Sequence, residues 1–435
     1  MEVEGGECEE YFCDVKLYED IVSSVQKVGK IVSIRLQTND SPKAKRFWSM
    51  FFWFEFLNVV VGCILECVKI SQTAGGRSFE HMVEIFLMVP CVGYIVLSMS
   101  KSWSVMRGRS TCERLLRTLH ALWPRGPLSR AEHTLIRSAM YELNIFVKGY
   151  QVCNWTTLTI YYTTPVAKLI HSWTGADVNF VLPFFYWLPY DFQKYIFPTL
   201  VTQMWHGMLV VMFVTVSDLL YCVLLNQISM QFELLAIQLR HIVQVPCDRQ
   251  LLEEFPLGIY NQEYRRHHGA LPSVTTMDDP DTEAKLGHII KRHVALIKLG
   301  SEVEDLMSFS LLTNFLNSSM ILCFCGFCCV LVEKWNELPY KCFLTMAMSQ
   351  TWLLCWYGQR LMDSSLRVAA AAYNCGWYQV TTNVKKSLLF IMLRAKKPVC
   401  VTTYGFTVIG FNCYTTIVKT AWSYFTLLVN VYRSN

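Results

Sequence analysis

Long stretches without a charged residue recur along this chain, and the longest covers residues 306–332. Crossing ~30 Å of hydrocarbon as a helix takes about 20 mostly apolar residues, because every backbone donor must be bonded inside the segment. Seven runs approach or exceed that length, once the run 85–100 is extended back to residue 82 and Glu55 is accepted within the run 47–65. The pattern therefore predicts an all-α integral membrane protein with seven transmembrane helices. The predicted spans are 47–65, 85–100, 149–167, 195–217, 306–332, 342–359 and 398–418.

An eighth run, 368–384, is free of charge but contains Asn374, Gly376, Gln379 and Asn383. These polar and flexible positions make it a poor lipid-facing helix. We interpret it as a loop or a cytosolic helix.

Composition supports a membrane protein over a soluble one. Hydrophobic residues make up 53% of the chain and charged residues 17%, against a usual charged fraction of ~25%. The net charge of +5 is small for 435 residues, so nucleic-acid binding driven by counterion release is disfavoured. The first 46 residues are acidic and mixed, and show no apolar core of a cleaved signal peptide.

The basic residues set an orientation, because Lys and Arg near a span are retained in the cytosol. The connections 1–46, 101–140, 226–303 and 359–398 hold 30 of the 39 Lys and Arg residues. This asymmetry predicts a cytosolic N-terminus and, with an odd number of spans, an extracellular C-terminus. That topology is the reverse of a G-protein-coupled receptor, whose Asp-Arg-Tyr and Asn-Pro-x-x-Tyr motifs are also absent.

Two stretches of the predicted cytosolic connections have the apolar periodicity of helices that must bury one face. They are 286–306 and 388–393, which we call the anchor helices because they are expected to project below the bilayer and pack together, or across subunits. A mobile cytosolic loop is expected at 248–282. The predicted parts are a cytosolic N-terminal segment (1–46), spans one to four (47–225), a cytosolic loop with an anchor helix (226–303), spans five and six (304–362), a second connection with an anchor helix (363–400), and the last span with the C-terminus (401–435).

The chain has 18 cysteines, a number that raises the question of a metal site. Cys325 and Cys328 have C-x-x-C spacing, but they lie within a predicted span and have no second pair of ligands. Small apolar packing explains them better. No H-E-x-x-H, G-x-S-x-G, P-loop or deaminase signature is present. We therefore expect no catalytic residues, no metal and no cofactor, and the chain is not predicted to be an enzyme.

Two segments carry a family resemblance. Residues 182–191 read L-P-F-F-Y-W-L-P-Y-D and precede the fourth span with its Gln203. The C-terminal third then has a characteristic order of residues: Ser365, Ala372-Tyr373, Trp377-Tyr378, Lys386-Ser387-Leu388, Met392, Arg394, Lys397-Pro398 and Ser423-Tyr424-Phe425-Thr426-Leu427-Leu428. Together with length and topology, this resembles the insect odorant receptors over the whole chain.

Two differences from related receptors indicate which branch of the family the chain resembles. Gustatory receptors usually have Thr-Tyr, five residues, then Gln-Phe in the last span, where this chain has Ser423-Tyr424 and then Asn430-Val431. The long cytosolic insertion of the shared odorant co-receptor is not found. The resemblance thus implies a ligand-tuning subunit that assembles with the co-receptor as a tetrameric, odorant-gated, non-selective cation channel in the plasma membrane of a sensory dendrite, with no G protein required.

The resemblance also implies that the last span lines the pore. Leu427 and Val431 lie where the family has its gate, and Asn430 where a pore-facing amide is usual. Rings of apolar side chains close a narrow pore by dewetting. The alternative for these residues is lipid-facing or interhelical packing.

A volatile ligand needs an enclosed, mainly apolar and aromatic cavity, which the resemblance places in the outer half of the bundle among the second, third, fourth and sixth spans. Each candidate could instead be core packing, and Met204 and Met208 could adapt to several ligand shapes. The candidates are Leu87, Cys91, Tyr94, Gln151, Asn154, Trp155, Leu158, Leu200, Met204, Met208, Phe343 and Met346.

Three charged residues lie within or beside predicted spans, at Glu55, Asp218 and Lys419. A charge in lipid is expensive and needs water or a partner, so we expect structural pairing for Glu55 and Asp218, and either pairing or a pore-facing position for Lys419. The rival functions are a gustatory-type chemoreceptor channel and a seven-helix transporter. Transporters show paired Gly- or Pro-interrupted repeats, which are not found.

Overall fold

A computed structural model describes residues 11–36, 41–76, 79–173, 182–243, 280–331 and 337–434. Most of the predicted mobile loop, up to residue 279, lies outside the described residues. The α-helices are α1 (Lys16–Ile31), α2 (Pro42–Ala74), α3 (Phe79–Arg107), α4 (Arg109–Ala121), α5 (Arg130–Trp173), α6 (Ile196–Arg240), α7 (Pro280–Leu331), α8 (Glu337–Tyr373), α9 (Thr382–Ala395) and α10 (Phe411–Ser434).

Two of these helices begin at residues that cap the helix N-terminus. The Ser41 hydroxyl accepts the Ala44 N–H at 3.3 Å, and Pro42 occupies the first helical turn of α2, where its missing N–H is not needed. Before α5, the Ser129 N–H donates to Glu132 Oε2 at 3.0 Å and the Glu132 N–H donates back to Ser129 Oγ at 3.3 Å. This reciprocal pair is a capping box.

The seven predicted spans fall in seven different long helices, α2, α3, α5, α6, α7, α8 and α10. By length and composition, four of the described helices are apolar enough to cross a membrane, namely α2, α3, α6 and α7. Polar Thr, Ser, Gln and Asn residues lower the hydropathy of α5, α8 and α10. Several helices far exceed a bilayer: α7 has 52 residues, or about 78 Å at 1.5 Å per residue.

The last predicted span is wrong in its bounds. Residues 398–410 are not α-helical, and α10 instead begins at Phe411. Thr402 and Val408 form an isolated antiparallel bridge, with Tyr404 and Gly405 at positive φ between them. Absence of charge misled the prediction here, because threonines and Gly405 favour a tight turn that an apolar run does not reveal.

The eighth run does not form a single helix. α8 ends within it at Tyr373, a 3₁₀ turn covers Trp377–Gln379, and α9 begins at Thr382. This agrees with the interpretation of 368–384 as loop and non-spanning helix.

α6 forms the centre of the bundle. Nearly all of its side chains from His206 to Leu235 are buried, and it packs against α1, α3, α5, α7 and α8. α2 lies at the periphery and exposes an apolar face, as expected for a helix against lipid. That face consists of Phe47, Met50, Phe54, Leu57, Val61 and Ile64.

α1, α4 and α9 pack at one end of the bundle with the adjoining parts of the long helices, and we call this the anchor end. The Tyr18 hydroxyl of α1 donates to the Leu116 carbonyl of α4 at 3.0 Å. The predicted anchor helix 286–306 lies in the first half of α7, which continues into the predicted fifth span without a break. Its Ile289, Leu299 and Val303 are buried.

The second predicted anchor helix lies in α9. Val384, Leu388 and Ile391 are buried, while Leu389, Phe390 and Leu393 are exposed. α9 therefore presents apolar side chains on two sides, one toward α8 and one away from the chain.

Candidate functional site

A largely apolar cavity of about 60 Å³ lies inside the bundle, between α3, α5, α6 and α8. A water molecule needs ~10–15 Å³ on the same measure, so there is room for a small molecule. The lining residues are Cys91, Tyr94, Ile95, Thr157, Leu158, Tyr161, Tyr162, Phe184, His206, Gly207, Val210, Val211, Phe343 and Met346.

Aromatic rings form two walls of the cavity. On one side, Phe184 stacks between Tyr161 and Tyr186, with centroid separations of 5.9 Å to each and interplanar angles of 20° and 15°. On the other, Tyr94 and Phe343 meet edge to face at 5.3 Å. These separations lie in the favourable range for aromatic pairs, so the rings support one another around the space.

Most polar groups at the cavity have protein partners, although His206 Nε2 has none in the described part of the chain. The Tyr162 hydroxyl donates to the Met204 carbonyl at 2.8 Å, and that of Thr157 to the Cys153 carbonyl at 2.9 Å. His206 Nδ1 shares a hydrogen bond with the Tyr186 hydroxyl. A bound molecule would therefore meet mainly apolar and aromatic surface.

Gly207 permits the close approach of these walls. A Cβ at this position would overlap the Tyr162 hydroxyl and lie 2.7 Å from Phe184 Cζ. Only glycine lets the two rings lie this close to α6.

Five of the twelve predicted ligand residues line the cavity: Cys91, Tyr94, Leu158, Phe343 and Met346. On α3 and α6, Leu87, Leu200, Met204 and Met208 lie outside the lining. Leu87 and Leu200 are buried, and Met208 packs against the core. On both helices, the first residue that lines the cavity lies one turn or more beyond the first predicted ligand residue.

On α5, three of the predicted ligand residues lie outside the cavity lining. The Gln151 amide donates to Ser24 Oγ of α1 at 3.5 Å, at the level of the anchor end. Asn154 donates to Thr215 of α6 at 2.9 Å, and Trp155 is exposed on the outside. Because α5 starts at Arg130 and rises from the anchor end, the cavity residues come later on it, at Thr157, Leu158, Tyr161 and Tyr162.

The sequence prediction also missed Phe184 and His206. The aromatic run at 182–187 carried the family resemblance, but no local pattern indicates that its Phe184 folds inward. His206 lies within the predicted fourth span. There the sequence alone does not distinguish a histidine that lines a cavity from one that is packed in the core.

A buried polar network lies next to the cavity. Asp218 of α6 forms an ion pair with Lys101 of α3, and its Oδ2 accepts from Tyr150 at 2.9 Å and from Gln350 at 3.0 Å. Gln350 also reaches Asn314 of α7 at 3.5 Å. The pairing expected for Asp218 is confirmed, and the network joins α3, α5, α6, α7 and α8.

Glu55 and Lys419, the other two charged residues of the predicted spans, lie in surroundings different from those of Asp218. Glu55 is buried on α2, and neither of its carboxyl oxygens has a hydrogen-bond partner in the described part of the chain, so the pairing expected for it is not found there. Lys419 lies on the exposed face of α10.

The exposed side of α10 carries a line of polar residues beside the exposed aromatic residues Phe411, Trp422 and Tyr424. Its buried face carries Cys413, Ile417 and Ala421. The opposite, exposed face has polar residues at helical spacing, followed by the predicted gate residues Leu427 and Val431, which are also exposed. The polar residues are Asn412, Thr416, Lys419, Ser423 and Asn430, and we call them the polar stripe.

Comparisons with known proteins agree with this architecture. Odorant receptor 67c of Drosophila melanogaster is 26% identical over 95% of both chains, and odorant receptor 85b of the same species is 23% identical over 92% of this chain and 96% of its own. The solved structure of the insect olfactory receptor OR5 from Machilis hrabei in complex with eugenol has the same fold, with a TM-score of 0.74, 15% identity, and coverage of 95% of this chain and 99% of that one.

A sequence profile of the family described as "7tm Odorant receptor" matches residues 81–422. This match spans more than three quarters of the 435 residues and includes every helix that lines the cavity. The chain therefore belongs to the insect odorant receptor family.

Proposed function

We propose that the chain is the ligand-tuning subunit of a heteromeric, odorant-gated, non-selective cation channel, assembled with the shared co-receptor, most simply as a tetramer. A small volatile binds in the cavity between α3, α5, α6 and α8. The α10 helices of the subunits surround the pore, and gating needs no G protein.

The polar stripe of α10 carries the channel proposal. Polar side chains that face hydrocarbon are costly, so a polar stripe on a membrane helix faces water or protein. Within one chain this face is exposed, from Asn412 to Asn430. Several copies of α10 around an axis would give it an aqueous environment, with Leu427 and Val431 forming an apolar ring near the end of the helix.

The cavity supports the ligand part of the proposal. It is lined mainly by aromatic and aliphatic side chains, the surface that a volatile of low polarity prefers. The ligand opens the pore only to the extent that it binds the open arrangement better than the closed one. The network of Lys101, Asp218 and Gln350 lies between the cavity helices and α7, on which α10 packs.

The anchor end supports assembly. Leu389, Phe390 and Leu393 of α9 are exposed within one chain, and burial of apolar surface against a second subunit would stabilise a complex. We place this end, with the N-terminus, in the cytosol and the C-terminus outside the plasma membrane of a sensory dendrite, as the basic residues indicate.

Current recorded from cells tests the proposal. Cells that express this chain with the co-receptor should show a rapid, non-selective cation current to some member of a volatile panel, and it should persist when G-protein signalling is blocked. Cells with the co-receptor alone should respond only to agonists of the co-receptor. Uptake of a volatile without conductance would instead indicate a transporter, and responses to non-volatile tastants alone would indicate a gustatory-type receptor.

A further inference from the structure

The segment between α5 and α6 takes part in the cavity through Phe184, whose ring lines it. Residues 182–195, the described part of this segment, are not helical, so regular backbone hydrogen bonds do not fix their position. Trp187 N–H donates to the Leu65 carbonyl of α2 at 3.2 Å, and the Tyr186 hydroxyl bonds to His206. The segment is thus docked onto the bundle by specific hydrogen bonds.

Gln203 of α6 provides a two-point contact to Phe184. The Phe184 N–H donates to Gln203 Oε1 at 3.2 Å, and Gln203 Nε2 donates to the Phe184 carbonyl at 3.3 Å. Gln203 is 2% exposed, so water competes little for these bonds. A primary amide can accept from an N–H and donate to a carbonyl at once, which an apolar side chain of equal length or a carboxylate cannot do.

The ring of Phe184 has little freedom once its backbone is held. It stacks between Tyr161 and Tyr186 and meets His206 edge to face at 6.2 Å. Its far edge lies against Gly207. If the backbone bonds are lost, the ring can swing outward and lengthen the cavity.

We propose that Gln203 is a positioning residue for ligand specificity: its amide holds the main chain of Phe184 against α6, and the ring so placed sets the upper limit on the length of ligand that the cavity accepts. This inference rests on the proposed function, since it assumes that the cavity binds the odorant. Gln203 itself does not touch the ligand.

The test uses the complex of this chain with the co-receptor. Gln203→Met keeps the length of the side chain and removes both hydrogen bonds. Thr202→Val is the matched control, because its hydroxyl donates within α6 to the Thr199 carbonyl and its side chain is exposed. Currents are measured against straight-chain methyl esters from butanoate to decanoate, and each is divided by the response to a co-receptor agonist.

We expect Gln203→Met to raise the potency of the longest esters relative to the shortest by about tenfold, the effect of losing roughly one to two net hydrogen bonds. Thr202→Val should keep the wild-type ratio. Phe184→Ala should shift the ratio in the same direction, and Gln203→Met should add little to it in the double variant. An unchanged ratio in Gln203→Met, with co-receptor responses intact, would overturn the proposal.

Hydrogen–deuterium exchange gives a readout that needs no ligand. The Phe184 amide should exchange at least about tenfold faster in Gln203→Met than in the wild type or Thr202→Val. Equal exchange would show that Gln203 does not hold the segment and would also overturn the inference. If the wild-type complex responds to no volatile at all, the proposed function fails, whereas the exchange comparison still decides whether Gln203 acts on Phe184.

Discussion

The carboxylate of Asp218 on α6 pairs with the ammonium group of Lys101 on α3, and both side chains are at most 2% exposed. Removing one partner leaves an uncompensated buried charge, at a cost of ~3–5 kcal/mol. Lys101→Met and Asp218→Asn should each therefore strongly reduce the amount of folded receptor at the cell surface and its melting temperature in detergent.

The double variant Lys101→Met/Asp218→Asn should recover most of that loss, because no isolated charge remains. Tyr150 and Gln350 can still donate to the amide oxygen. Single variants that melt as the wild type does, or a double variant no better than the worse single one, would contradict this account of the pair.

Gly207→Ala should abolish or strongly weaken responses to volatiles, since the added methyl group would displace Tyr162 and Phe184 from the cavity. Gly149→Ala is the matched control, because its Cβ would meet nothing within 4 Å. Volatile-evoked current, normalised to a co-receptor agonist, measures the effect. A normal volatile response in Gly207→Ala would argue that the ligand binds elsewhere.

Cysteine substitutions along α10 should react with a water-soluble thiol reagent in a helical pattern. Thr416→Cys and Ser423→Cys, on the polar stripe, should be modified in the open channel and change its current. Ile417→Cys and Ala421→Cys, on the buried face, should be protected. Equal reactivity of the two faces would exclude a pore-facing polar stripe.

The double variant Leu427→Ala/Val431→Ala should raise the current that flows without ligand. Smaller side chains widen the proposed apolar ring and reduce its tendency to dewet. Thr415→Ala, an exposed position nearer the start of α10, serves as a control for general damage to the helix. A tightly closed channel in the double variant would assign Leu427 and Val431 to lipid or helix packing.

The anchor end should lose stability in mild acid. Burial, and then the positive charge of Arg394, lower the pKa of His293 from its ordinary value of 6.5. The folded state therefore keeps His293 neutral, whereas the unfolded chain takes up a proton below pH 6.5, so the stabilising contribution is present above that pH and declines as the pH falls.

His293→Gln should flatten this dependence when melting temperature in detergent is measured between about pH 7.5 and about pH 5.5. His288→Gln is the control, as His288 lies on the exposed side of the same helix. A pH profile unchanged by His293→Gln would place the acid sensitivity in other groups.

Helices are predicted well from the sequence, because they depend on residues that are near one another along the chain. The cavity is predicted poorly, because it depends on contacts between residues that are distant in sequence. Apolar runs locate six of the long helices, because backbone bonding in lipid demands long apolar helices. The same rule failed at 398–410, where a turn with Gly405 at positive φ interrupts an equally apolar run. It also assigned Lys101 to a connection, although its partner Asp218, distant in sequence, draws it into the core.

The cavity depends on contacts between distant parts of the chain. Phe184 lines it with its backbone bonded to Gln203, nineteen residues later, and no hydropathy pattern reports such a contact. On α5 the family resemblance named Gln151, which lies outside the cavity lining, and did not name Tyr161, which is part of it.

α7 crosses from the anchor end to the opposite side of the molecule as one rod, with no proline after its first residue. Because one unbroken helix carries both Asn314 and His293, a tilt of its outer half in the proposed odorant response would be passed on to the anchor end. In the proposed channel, contacts between neighbouring subunits at the anchor end would then respond to events at the cavity.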